Sequence, residues 1–194
     1  MLAPQLGRHL GTAATWRTLR YQKAYFGAWT LGKKADTASV KGKRGSGEAP
    51  RPRVRGAQNA DLEQVIDIDA RITGLRKREY WAEILRRYGG GRAQRFFLVA
   101  DSGERIEGYV VGDVRDWEFG SPPCGWVFGI AVRPDARQAG IATQLLEAIC
   151  EGFRRHGVTK VRTLLARNNH LILSFFRSQG MMAAPFIALE RDLD

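Results

Sequence analysis

Cysteine and histidine are scarce in this 194-residue chain, which holds two of the first and three of the second. Cys124 and Cys150 form no CxxC pair, and a chain of this size needs no disulfide staple. A reducing compartment, the cytoplasm, is therefore the expected setting. His9, His156 and His170 show no metal-ligand spacing with those cysteines, so no metal site is expected. No apolar run approaches the ~20 residues of a membrane-spanning helix. Acid is missing from one region only. Residues 1–55 carry twelve Lys or Arg against Asp36 and Glu48, a balance of +10 within a formal net charge of +11. The rest of the chain is close to neutral, so the positive charge belongs to the N-terminal segment and does not mark the whole as a nucleic-acid binder.

Residues 1–52 read as a basic, largely disordered extension. From Lys33 to Pro52 the composition is Lys, Gly, Ser, Ala and Pro, with almost nothing to bury. As a helix, residues 12–31 would place Tyr21, Tyr25 and Trp29 on one stripe and Arg17, Arg20 and Lys23 on another. That pattern is similar to an organelle presequence, which would send the chain to the mitochondrial matrix if residues 1–35 are one. It equally fits an arm that touches RNA or a membrane surface, and nucleic-acid or membrane contact is expected through this segment alone. A disordered extension or a start codon set too far upstream is the plainest reading. No sustained apolar stretch suggests a secretory signal.

Residues 53–194 form the expected folded domain, since one domain of about 140–150 residues plus an extension suits this length. Val54–Ala57 reads as a first strand, with Asn59 or Asp61 capping a helix whose apolar repeat is Leu62, Val65, Ile66 and Ile68-Asp69. A second helix over Arg76–Tyr88 offers Tyr80, Trp81, Ile84, Leu85 and Tyr88 on one face, and Gly89-Gly90-Gly91 stops it. Phe96–Ala100, Asp101-Ser102-Gly103 and Ile106–Val114 read as a hairpin. Strands over Trp126–Val132, Val158–Ala166 and Ala184–Leu193 follow, with a helix after the first and another, capped by Asn168 or Asn169, after the second.

One stretch joins strand to helix in an unusual way: Ile130-Ala131-Val132-Arg133-Pro134-Asp135-Ala136-Arg137-Gln138-Ala139-Gly140-Ile141-Ala142-Thr143. Pro134 ends the strand because it brings no N–H to a ladder. From Gly140 the period becomes helical, with Ile141, Leu145, Ala148, Ile149 and Phe153 on one face and Gly157 placed to end the helix. The first turn of a helix leaves its N–H groups without intrahelical partners and carries the positive end of the macrodipole. Gly140 and Ala142 let a ligand approach that backbone, and Arg137 adds a full charge. This is a cradle for phosphate. It is neither a Walker loop nor Gly-x-Gly-x-x-Gly.

The run Arg137-x-x-Gly140-x-Ala142, preceded by Ala131-Val132-x-Pro134, resembles the acyl-CoA loop of the GCN5-related N-acetyltransferase (GNAT) superfamily. A second block, Asn169-x-x-Ile172-x-x-Phe175-Phe176-x-x-x-Gly180-Met181, resembles that superfamily's Asn-x-x-Ala-x-x-Leu-Tyr-x-x-x-Gly-Phe, in the right order and at the usual separation. The resemblance implies an α/β (α+β) fold: a mixed, mostly antiparallel sheet of six to seven strands with helices on both faces. It implies acetyl-CoA as co-substrate and no metal. Ile130, Ala131 and Val132 would pair through their backbones with the pantetheine arm, and a backbone N–H near Val132 would stabilise the acyl oxyanion. Arg137, Gln138, Ala139, Gly140, Ile141, Ala142 and Thr143 would hold the diphosphate. Asn169 would contact the cofactor arm, and Phe175 or Phe176 would pack on it. The first two helices would lie over the acceptor, which makes Tyr80, Trp81 and Tyr88 either substrate contacts or core.

Three departures qualify that picture. Phe176 stands where the family often has a tyrosine acid for the departing thiolate. Gly129 stands where many members have a carboxylate, and Leu164 occupies the position of a glutamate in the ribosomal-protein alanine acetyltransferases. Thiolate leaves readily without an acid, but an amine must still lose its proton, through water to Asp113, Asp116 or Glu118 or to none of them. No base is assigned. The expected function is acetyl transfer from acetyl-CoA to a primary amine of a small molecule or protein. The competing reading is an acetyl-CoA-binding regulatory module with weak or no turnover, docked through its basic tail. A homodimer is compatible with either.

Overall fold

A computed structural model describes residues 51–137 and 139–193. The expected helix and linker of the N-terminal extension lie outside the described residues, as does Gln138. The chain divides into two compact units, one ending at Leu164 and the other beginning at Leu165.

In the first unit, β1 (Arg53–Gly56), β2 (Arg95–Asp101), β3 (Ile106–Arg115), β4 (Cys124–Val132) and β5 (Val161–Arg162) lie side by side in chain order. The first four pair antiparallel and β5 joins β4 in parallel. Helices α1 (Leu62–Thr73) and α2 (Arg78–Tyr88) follow β1, and α3 (Ile141–Arg154) follows β4. This is the expected mixed, mostly antiparallel sheet, with five strands among the described residues and not six or seven. Two strands differ from expectation, and the second accounts for the count. The strand expected over Val158–Ala166 is reduced to Val161–Arg162. Ala184–Leu193 has the apolar alternation of a strand, yet Ile187, Leu189 and Leu193 are exposed and nothing among the described residues pairs with them. A strand is made by its ladder and not by its pattern, and Pro185 removes one donor besides.

The period-2 alternation of β2, β3 and β4 sends residues to two faces. Phe97, Val99, Tyr109, Val111 and Ala131 meet Val65, Ile68, Ile72, Trp81, Ile84 and Leu85 of α1 and α2 in one core. The opposite face carries glycines, and α3 lies on them. A Cβ at Gly108 would come within 3.1 Å of Leu145 Cδ1, one at Gly112 within 2.9 Å of Ile149 Cδ1, and one at Gly125 would overlap the Phe153 ring. Leu145, Ile149 and Phe153 are the inner face that the helical period identified, and all three are buried. Gly157 ends the helix as expected, at φ 75°, with its N–H donating to Arg154 O at 2.9 Å.

Local caps refine the boundaries. Asn59–Asp61 form a 3-10 turn, and Asp61 does not cap α1. Its carboxylate accepts from the Gln58 N–H at 2.8 Å and from both terminal nitrogens of Arg55 at 2.7 and 2.9 Å, while Arg55 Nε donates to Asp101 at 2.9 Å. Helix α2 starts at Arg78 and not Arg76, because Lys77 adopts a non-helical conformation and turns its side chain inward.

Gly125→Ala should lower stability by about 1–3 kcal/mol, the range for overpacking a filled core, measured by urea denaturation. A pH series tests the Arg55 cluster. Burial pushes the Asp61 carboxyl up, but Arg55 and the Gln58 N–H outweigh it and hold it below its ordinary value; the Gly103 N–H and Arg55 do the same for Asp101. Carboxylates lowered on folding stabilise above their unfolded pKa, about 3.9, and that contribution fades as pH falls through the lower folded values. Arg55→Gln should therefore move the acid-unfolding midpoint to higher pH.

Candidate active site

Strand β4 is where the sheet opens. It pairs with β3 along its whole length but with β5 only at Gly125↔Val161 and Trp126↔Arg162. A bulge interrupts the β3 ladder, where Val111 pairs with Gly129 and Gly112 with Val127, leaving Phe128 as the extra residue. Beyond it the Arg133 N–H donates to Glu107 O at 2.8 Å. Because antiparallel residues alternate between bonding toward a partner and away from it, Ala131 faces β3 while Ile130 and Val132 turn their N–H and C=O groups to the other edge. Among the described residues of this unit, no strand pairs with that edge past Trp126.

The strand leads directly into the cradle. Arg133 is buried, with Nε donating to Ile106 O at 2.7 Å, and Pro134–Ala136 form a 3-10 turn. Arg137 and Ala139 are exposed. Gly140 takes φ 74°, a left-handed conformation that a side chain resists, and a Cβ there would meet nothing within 4 Å. The first α-helical bond runs from the Gln144 N–H to Gly140 O at 3.0 Å, so the amides of Ile141, Ala142 and Thr143 precede the ladder. The Ile141 side chain is buried, which fixes the first turn of α3 against the sheet. The structure thus puts the outward amides of Ile130 and Val132 and the helix start at Gly140 in one unit, at consecutive positions of one connection.

The second block lies in the second unit. Asn169 caps α4 (His170–Ser178), its Oδ1 accepting from the Ile172 N–H at 3.3 Å, as the sequence indicated. The Phe175 and Phe176 rings lie 5.1 Å apart, with Phe176 buried and Phe175 partly so. Of these two, Phe175 is the one with accessible ring surface.

The titratable groups near β4 are already engaged. Asp113 accepts from the Tyr88 hydroxyl and from Arg115 Nε, each at 3.0 Å, and Glu118 stands 3.8 Å from Arg115. Asp116 is exposed. Burial, reinforced by Asp113, holds the Tyr88 hydroxyl above its ordinary pKa, so it remains a donor near neutral pH. Gly129 sits on β4 beside Val111, and Leu164 is exposed. Among the described residues, no group of three His, Cys, Asp or Glu side chains is placed to hold a metal ion.

The three aromatics over this face differ in burial. Tyr80 is 39% exposed, while Trp81 is buried and packs at 4.8 Å between ring centroids on Tyr109. Tyr88 is buried and meets Phe128 edge to face at 5.2 Å. Sequence reasoning missed what holds the α1–α2 elbow. Asp69 and Lys77 are both buried, with Lys77 Nζ 2.9 Å from Asp69 Oδ2, and Trp81 Nε1 donates to the same oxygen at 2.9 Å. A signal existed. Asp69 stands at helical spacing with Val65 and Ile72 on the buried face, and a carboxylate there requires partners.

The model of the acetyltransferase (GNAT) family matches residues 62–181. An L-2,4-diaminobutyric acid acetyltransferase of Nocardia farcinica is 30% identical over 79 residues, 41% of this chain and 39% of that protein, so the chain spans well under half the length of this curated relative. The apo crystal structure of the aminoglycoside 6'-N-acetyltransferase AAC(6')-IG of Acinetobacter haemolyticus is similar with a TM-score of 0.62 at 18% identity, covering 73% of this chain and 99% of that one. The aminoglycoside N-acetyltransferase AAC(6')-Iy in complex with CoA is similar with a TM-score of 0.61 at 19% identity, covering 72% and 93%. A structure described as a transcriptional regulator from Bacillus halodurans C-125 has a TM-score of 0.63 at 18% identity, covering 73% and 99%. These likenesses show the fold.

The elbow supplies the measurable consequence. Asp69→Asn should cost about 3–5 kcal/mol by leaving Lys77 buried without its counter-charge, whereas Asp69→Leu combined with Lys77→Met should recover most of that loss in chemical denaturation.

Proposed function

The chain belongs to the acetyltransferase (GNAT) family, and from that premise we propose that it transfers the acetyl group of acetyl-CoA to a primary amine of a small molecule or protein. The observation that carries this reading is the join of β4 to α3: an edge with outward amides at Ile130 and Val132 running into an unshielded helix start at Gly140. An arm with alternating amide groups suits such an edge, because it offers the N–H and C=O partners that a strand would. The diphosphate suits the amides of Ile141, Ala142 and Thr143 with Arg137 and Ala139 leading into them, and open space over Gly140 admits it; Gln138 is proposed for the same group from its place in the sequence alone. Ala131 faces the core and serves by holding its neighbours in register. Asn169 and Phe175 or Phe176 are proposed for the side of the arm.

In the proposed reaction an uncharged amine attacks the thioester carbonyl carbon, the C–S bond breaks, and CoA leaves as thiolate while the new amide nitrogen gives up a proton. The N–H of Ile130 or Val132 meets the developing oxyanion. Asp113 is committed to Tyr88 and Arg115, so no side chain is assigned as base.

A second reading rests on Phe176, Gly129 and Leu164, the non-titrating residues at the three usual acid–base positions. It holds that the chain binds acetyl-CoA with little turnover and docks through its basic extension.

Calorimetry on the full chain should show acetyl-CoA binding with a Kd on the order of micromolar, about −8 kcal/mol. Arg137→Ala/Gly140→Glu should weaken it at least about tenfold, since it removes one charge and adds the opposite one at the helix start. Thiol release with any of a panel of amines supports transfer. Binding without release favours the second reading, and no binding would overturn both.

A further inference from the structure

On the same sheet face as Phe128 and Trp126, below the end of α2, lies a hollow of about 440 Å³ lined by Arg92, Ala93, Gln94, Arg95, Asp113 and Val114. Its charge is lopsided. Arg92 and Arg95 make no ion pair among the described residues, and Arg87 and Arg115 stand close by. Arg95 and Arg87 both lie over the Tyr88 ring, 5.7 and 5.8 Å from its centroid. The acids near these arginines are Asp113, held by Tyr88 and Arg115, Glu118, beside Arg115, and Glu83, which pairs with Arg86 and lies near Arg87. The lining itself thus sets two guanidinium groups against one carboxylate that is already engaged.

Two further features lie beside the hollow. Gln94, in the wall, takes φ 64°, a conformation uncommon outside glycine, and its carbonyl accepts from the Val114 N–H at 2.8 Å, which holds the wall in place. Trp126, the ladder partner of Asp113, has its indole N–H buried without a hydrogen-bond partner, and Arg115 covers the ring at 4.9 Å from its centroid. The uncommitted charged groups of the lining, Arg92 and Arg95, are donors only, and the Gln94 side chain can donate as well.

We propose that this hollow is the subsite for an oxyanion, a carboxylate or a phosphate, carried by the molecule that accepts the acetyl group. The inference rests on the acetyl-transfer reading above. Asp113 stands three residues along β3 from Val110, the partner of Ile130, so the anion sits at least about 10 Å from the Ile130 amide at 3.3 Å per residue, and further from that of Val132. The acceptor is then an amine with its negative group at the far end. Arg92 and Arg95 are specificity residues in this scheme. They receive the anion and do not touch the reacting atoms.

The test uses three amines of matched length bearing a carboxylate, a phosphate or an uncharged polar group, assayed with the full chain and with Arg92→Gln and Arg92→Gln/Arg95→Gln. The wild type should favour one anionic amine over the neutral one by about tenfold or more in kcat/KM, the scale of a charge-assisted hydrogen bond. The double variant should lose most of that ratio through KM, and the better anion identifies the source. An unchanged ratio in a folded double variant, or no preference in the wild type, overturns the subsite while leaving acetyl transfer standing. If no amine releases thiol, the transfer reading fails, and a titration with inorganic phosphate and with acetate decides the hollow alone. Amide shifts at Ala93–Arg95 and Asp113–Val114 that vanish in the double variant support an oxyanion site. No shift there with either ion overturns it.

Discussion

The structure depends on how closely α3 lies against β3 and β4. Gly108, Gly112 and Gly125 remove the side chains that would hold the helix off, so Leu145, Ile149 and Phe153 rest on bare backbone. A buried side chain of this size contributes about 1.5–3 kcal/mol by leaving water, so three of them anchor the helix firmly. Its N-terminus is then not free to drift. The start of the helix at Gly140 is fixed by contacts made two and three turns further on, and that is what makes an unshielded set of amides a stable feature of the surface.

Strand β4 answers to two opposed demands. One side is locked to β3, and the bulge at Phe128 absorbs the register change so that both halves of the ladder can form. The other side is held by β5 for two residues and then released. An exposed edge with outward N–H and C=O groups invites another strand. Here the edge is short, is flanked by Arg133 and Pro134, and runs straight into the α3 start. A proposed ligand with peptide-like groups would meet a prepared ladder and a phosphate cradle in sequence, without rearrangement of either.

Legibility followed the range of the interaction. The face of α3, the stop at Pro134, the Gly140 start and the Asn169 cap were readable because each is decided within one or two turns of chain. The hairpin strands were readable from alternation. What failed was decided elsewhere. Ala184–Leu193 has strand chemistry but no neighbour to bond, and β5 is short because β4 leaves it after Trp126. Asp61 looked like a cap and was taken by Arg55 from the neighbouring strand. Asp69 looked like one polar residue in an apolar repeat, and its partners stand eight and twelve residues away across a turn. The site divides the same way: its backbone cradle was legible, whereas the arginine-lined hollow joins residues from two segments that no local pattern links.

The absence of an assigned base limits what the proposed reaction can do about the amine's proton. An amine with a lysine-like pKa near 10.4 is neutral in roughly one molecule per thousand near pH 7.4, a cost of about 4 kcal/mol. The arginines cannot remove that cost from the hollow. At ~10 Å each repels an ammonium by only about 0.4 kcal/mol in water, and a Debye length near 8 Å reduces this further. Asp113 offers no relief while Tyr88 and Arg115 occupy it. Under the proposed reaction, therefore, the positive surface selects acceptors by the charge at their far end, and the acceptor's own basicity sets how much of it is ready to react.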